Sequence, residues 1–112
     1  MKLAELVERL RLEILTADTG LDREVTNGYV SDLLSDVIAN VEEGSVWITI
    51  QRHINILGVA KLKDVAAIIV SRGLQVDPEV IEKANQEGVT ILRSKESSFE
   101  VSGLIYNALQ RT

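Results

Sequence analysis

Apolar residues at Leu3, Leu6, Val7 and Leu10 recur three and four apart, so Lys2 to Leu10 predicts a helix with one buried face. Leu12 to Thr16 reads as a strand, and a polar stretch from Ala17 to Glu24 leads to a second strand, Val25 to Val30. Asn27-Gly28 interrupts that strand with a pair favouring tight turns or positive φ, which predicts a bend or bulge there. Ser31 and Asp32 then supply a cap and first-turn negative charge for a helix through about Asn40, with Leu33, Leu34, Val37, Ile38 and Val41 as its apolar stripe.

Past Gly44, the β-branched and aromatic run Ser45 to Ile50 predicts a buried strand. A helix over Ile54 to Lys63 is apolar on more than one side, and Val65 to Val70 is a continuous apolar strand of the kind covered on both faces. Asp77-Pro78-Glu79 starts a helix that Gly88 ends. Val89 to Leu92 is the next strand, and Ser97-Ser98-Phe99-Glu100 matches a capping box opening a helix to about Gln110. The alternation from Trp47 onward predicts a single three-layer α/β/α domain with a mainly parallel sheet, spanning residues 1–112.

Composition narrows the function. With no cysteine, disulfides, thiolate metal sites and cysteine nucleophiles are excluded. No apolar run approaches the ~20 residues of a membrane span, and the N-terminal segment lacks a signal peptide's apolar core, so a cytoplasmic protein without membrane association is expected. The net charge of −5 opposes nonspecific nucleic-acid binding. A mean hydropathy of +0.11 is high for a small domain and suggests a core completed in a homodimer.

Ligands of open parallel sheets bind at the C-terminal strand ends. The loops there are Gln51-Arg52-His53, Ser71-Arg72-Gly73 and Arg93-Ser94-Lys95, which hold four of the 12 basic residues, the lone histidine and no carboxylate. Arg52, Arg72 and Arg93 with Gln51 and His53 therefore form a candidate site for a phosphate or nucleotide; solvated arginines are the plain alternative. Asp22, Arg23, Thr26, Asn27 and Gly28 make a second polar cluster, either a local ion pair beside a turn or part of a recognition loop. Trp47 and Tyr29 suit a core better than a base-stacking platform. There is no Gly-x-Ser-x-Gly elbow, phosphate-cradling Gly-x-x-x-x-Gly-Lys loop or Gly-x-Gly-x-x-Gly, and no histidine pair for a metal. The sequence calls for no cofactor and no catalysis, although an enzyme using His53 with substrate-supplied groups is a third option.

The stretch Asp22-Arg23-Glu24-Val25-Thr26-Asn27-Gly28-Tyr29-Val30 with Ser31 to Val37 resembles the signature of the DRTGG domain family. So do Val46 to Gln51, Ala67 to Val70 and Ser98 to Gly103, so that the resemblance spans nearly the whole chain. Asp22, Arg23, Thr26 and Gly28 match the letters of the motif; Asn27 stands where the family has a glycine and keeps a residue tolerant of left-handed backbone. The resemblance implies a fold similar to the N-terminal domain of HPr kinase/phosphorylase, whose catalysis belongs to a separate P-loop domain. It implies a regulatory or accessory module, often dimeric, found alone, beside CBS domains or near iron hydrogenase genes. The expected function is regulatory binding of an adenine nucleotide or other phosphate-bearing ligand. The alternative is a dimeric protein-interaction subunit, hydrogenase-associated, without a small-molecule ligand.

Overall fold

The computed structural model describes residues 1–110. Five strands, β1 (Glu13–Ile14), β2 (Asn27–Val30), β3 (Ser45–Thr49), β4 (Ala67–Val70) and β5 (Ile91–Arg93), form one sheet in the order β1-β5-β4-β3-β2. Pairing is parallel from β2 to β5, and β1 joins antiparallel through Glu13↔Arg93 and Ile14↔Leu92. The helices are α1 (Leu3–Leu10), α2 (Leu34–Asn40), α3 (Asn55–Leu62), α4 (Pro78–Glu87) and α5 (Ser98–Gln110).

The two faces of the sheet carry separate cores because successive strand residues point to opposite sides. Trp47, Ile68 and Ile91 pack with Val37, Ile56, Ala60, Val80 and Ala84 of α2, α3 and α4. Val46, Ile48, Ile69 and Leu92 pack with Leu3, Leu6, Val101 and Ile105 of α1 and α5. The continuous apolar runs of β3 and β4 follow from this double coverage, and the architecture is the expected α/β/α sandwich.

The polar stretch after β1 contains a short 3₁₀ helix, Asp18–Gly20, and two local expectations fail. Asn27 and Gly28 lie in unbroken parallel register with Ser45 and Val46, and neither has positive φ, so β2 has no turn or bulge there. Ser31 and Asp32 do not cap α2, whose N-cap is Leu33 without a side-chain cap bond. Instead the Ser31 hydroxyl accepts the Leu33 N–H at 3.2 Å, and Asp32 Oδ1 accepts from Thr49 Oγ1 at 2.8 Å and the Ile50 N–H at 2.9 Å. Asp32 thus ties the end of β2 to the end of β3, a tertiary use of a cap-like residue.

Candidate functional site

Because β2 to β5 are parallel, the loops after β3, β4 and β5 lie along one edge, and the structure joins them. Arg52 donates through Nη1 to the Gln75 carbonyl at 2.9 Å and through Nε to the Ile50 carbonyl at 3.3 Å. Arg93 reaches the same segment, donating from Nη1 to the Leu74 carbonyl at 3.3 Å and Gln75 Oε1 at 3.2 Å. Arg72 N–H donates to the Glu96 carbonyl and Gly73 N–H to the Ser94 carbonyl, both at 2.7 Å, knitting the loops after β4 and β5.

The basic residues differ in what they leave free. Arg93 is occupied: its fork holds Glu13 at 3.2 Å and 2.7 Å, fastening β1 to β5. Arg52 is steadied by carbonyls alone, and its Nη2 donates to nothing among the described residues. Arg72 is exposed, with a left-handed backbone at φ 64°. The Nδ1 atom of His53 accepts the Asn55 N–H at 3.2 Å, which leaves Nε2 to carry the proton of the neutral ring. Gln51 Nε2 donates to the Asp32 carbonyl at 2.9 Å. Ile50, Gln51, Arg52, His53, Gln75 and Asp77 enclose a depression of about 380 Å³. Carboxylates absent from the loops themselves therefore arrive from elsewhere: Glu13, Asp32 and Asp77.

The Asp22 to Gly28 cluster sits at the other end of the sheet. Arg23 Nη1 holds Asp64 Oδ1 and its Nη2 the Asp64 carbonyl, each at 2.7 Å. Asp64 precedes β4 and has a left-handed backbone at φ 51°, so Arg23 clamps a strained turn. The guanidinium also draws the Asp64 carboxyl below the usual carboxylate range. Thr26 donates its hydroxyl to the Glu43 carbonyl at 2.8 Å, and Asp22 is exposed. A five-residue strand such as β3 separates the two edges by roughly 13 Å at about 3.3 Å per residue. The two clusters therefore lie at opposite ends of the parallel strands and do not form a single site. Trp47 is fully buried and donates its indole N–H to the Ser31 carbonyl at 2.8 Å, a core role.

Thr26, Asn27 and Gly28 border a different feature, a cleft of about 470 Å³ between β2 and α5, with Phe99 and Tyr106 on its rim. The sequence reading passed over these two aromatics. Their signal was the seven-residue spacing, which puts them on the side of α5 away from Val101, Ile105 and Ala108.

Residues 5–108 match the DRTGG domain family. The HPr kinase/phosphorylase of Streptococcus uberis is 32% identical over 117 residues, covering 90% of this chain and 38% of the relative. The HPr kinase/phosphorylase of Halalkalibacterium halodurans is 27% identical over 128 residues, covering 95% and 39%. The chain thus spans about two-fifths of the length of these relatives. A crystal structure of the CBS and DRTGG domains of the regulatory region of Clostridium perfringens pyrophosphatase, complexed with its activator diadenosine tetraphosphate, has a similar fold. It matches with a TM-score of 0.76 at 21% identity, over 93% of this chain and 45% of that one.

Proposed function

This chain belongs to the DRTGG domain family, and we propose that it is a non-catalytic regulatory module that binds a phosphate-bearing ligand, foremost an adenine nucleotide, at the C-terminal edge of its sheet. The observation that carries this reading is Arg52. Its guanidinium is positioned by two backbone carbonyls and, among the described residues, retains a free Nη2 and has no carboxylate partner, which is the state of an arginine poised for a phosphate. Arg72 and His53 Nε2 supply further donors beside it. The diadenosine tetraphosphate bound by the structurally similar pyrophosphatase region favours an adenine nucleotide.

A regulatory role fits the wiring. A ligand on Arg52 acts on Ile50, whose N–H is held by Asp32 at the end of β2, so occupancy at this edge reaches the outermost strand. Arg93, spent on Glu13, belongs to the scaffold and is removed from the ligand set; Arg23 and Thr26 are likewise structural. Thermal unfolding with adenine and guanine nucleotides tests the proposal. A ligand at 100 times its Kd stabilises by about 2.7 kcal/mol, or roughly 10 °C for a domain of this size. No shift with any nucleotide or with pyrophosphate contradicts it.

A further inference from the structure

Asp77 stands at the N-cap of α4, ahead of Pro78, yet its side chain makes no capping bond. Among the described residues its carboxylate accepts no hydrogen bond and forms no ion pair. It lines the depression at the C-terminal edge together with Arg52, and it is the one carboxylate among the described lining residues. Arg52 does not close onto it, because the Ile50 and Gln75 carbonyls hold the guanidinium. A cation and an anion, each without an ionic partner, thus share a recess of about 380 Å³, near the lower end of the roughly 300–1,000 Å³ of small-molecule sites.

This arrangement discriminates among anions. A bare phosphate or pyrophosphate gains at Arg52 and is repelled at Asp77. A ligand that carries hydroxyls beside its phosphate turns the carboxylate into a charged hydrogen-bond acceptor, which is the stronger kind. The flanking amides also suit hydroxyls. Gln75 accepts from Arg93 through Oε1 and has Nε2 left to donate, while Gln51 donates through Nε2 to the Asp32 carbonyl and has Oε1 left to accept. A hydroxyl both donates and accepts, so it satisfies a carboxylate and an amide together; an ammonium only donates and would oppose the Gln75 N–H. An acidic side chain on a ribose hydroxyl is an established device of nucleotide-binding α/β folds.

We propose that Asp77 accepts hydrogen bonds from the ribose hydroxyls of a ligand whose phosphate sits on Arg52, so that the depression selects a phosphorylated ribose. The inference rests on the ligand edge proposed above and adds to it the recognition of the sugar.

Calorimetric titration of the whole chain with adenosine monophosphate and with dideoxyadenosine monophosphate, which lacks both ribose hydroxyls, provides the test. The expected affinity for the dideoxy compound is lower by about tenfold or more, the loss of a hydrogen bond to a charged group. In Asp77→Ala that ratio falls towards one. In Asp77→Asn, which keeps the shape and a neutral acceptor, it falls part of the way. Both variants keep the circular dichroism of the wild type, since the native carboxylate makes no cap bond. Pyrophosphate, without hydroxyls, binds Asp77→Ala at least as tightly as the wild type. Ribose phosphate distinguishes the two sources of this chemistry: affinity equal to that of adenosine monophosphate assigns the site to a free sugar phosphate, and weaker binding assigns it to a nucleotide. Equal affinity of the wild type for the two nucleotides overturns the inference, as does a ratio unchanged in both Asp77 variants. Neither result touches the ligand edge itself, which fails, and takes the inference with it, if none of these ligands binds or if Arg52→Ala leaves every affinity unchanged.

Discussion

Gly44 shows how a single position fixes the start of the outer strand. Its φ is +80°, and a Cβ built there would lie 2.9 Å from Thr26 Oγ1. Thr26 in turn receives no freedom, since its N–H donates to the Gly44 carbonyl at 3.0 Å and its hydroxyl to Glu43. Gly44→Ala combines left-handed strain with a steric conflict and is expected to cost about 1–2 kcal/mol in urea denaturation. Part of that cost should disappear in a Thr26→Ala background, because the clash partner is gone. Arg23→Ala is expected to cost about 1 kcal/mol, the upper end for a partly exposed ion pair, because it also removes one of the two hydrogen bonds to the Asp64 carbonyl and leaves only that from the Gly44 N–H. Arg23 and Thr26, two residues of the signature, thus act on backbone geometry.

At the level of elements, β1 depends on a few ties. It has two residues, and beyond its pairing with β5 it is held by Arg93 on Glu13 and by the Leu15 N–H on the Ile91 carbonyl at 3.0 Å. Glu13→Gln removes the charge from that fork, so amide hydrogen exchange at Ile14 and Leu15 should quicken severalfold while β3 and β4 keep their protection. Equal exchange in the variant and the wild type would show the ion pair to be dispensable. Elements of this kind were legible where local chemistry decides them. Asp77-Pro78 and Gly88 bracket α4 as expected, with Gly88 at φ 72°, and the apolar runs marked β3 and β4. The start of α2 was misread because Ser31 and Asp32 look like a cap in sequence, whereas Asp32 is used by Thr49 and Ile50, seventeen and eighteen residues away. A partner at that separation leaves no local trace.

For the molecule as a whole, the layers and the parallel sheet were legible, and the site was legible only in part. Once strands alternate with helices, strand direction puts the basic loops on one edge. The Asp22 to Gly28 cluster was offered as a local ion pair or part of a recognition loop; as the lead into β2 it lies at the opposite end of the parallel strands from the basic loops. The neutralisation of Arg93 by Glu13, eighty residues apart, was likewise hidden. Acid sensitivity is also a property of the whole. Arg23 lowers the pKa of Asp64, the hydroxyls of Ser31 and Tyr29 with the Asn40 amide lower that of Asp36, and Lys61 with Lys83 lowers that of Glu87. Depressed carboxylates contribute stability above their unfolded pKa, near 4, and lose it as pH falls through the folded values. The thermal midpoint is therefore expected to decline below about pH 4.5, and less steeply in Asp64→Asn.

Calorimetric titration of the wild type, Arg52→Ala and Arg23→Ala with an adenine nucleotide puts the two edges of the sheet directly against each other. The placement of the ligand on the C-terminal edge predicts that Arg52→Ala weakens binding by about 1–3 kcal/mol, the scale of a charge-assisted hydrogen bond, while Arg23→Ala binds as the wild type does. Binding that survives Arg52→Ala and is lost in Arg23→Ala would contradict it and move the ligand to the opposite edge.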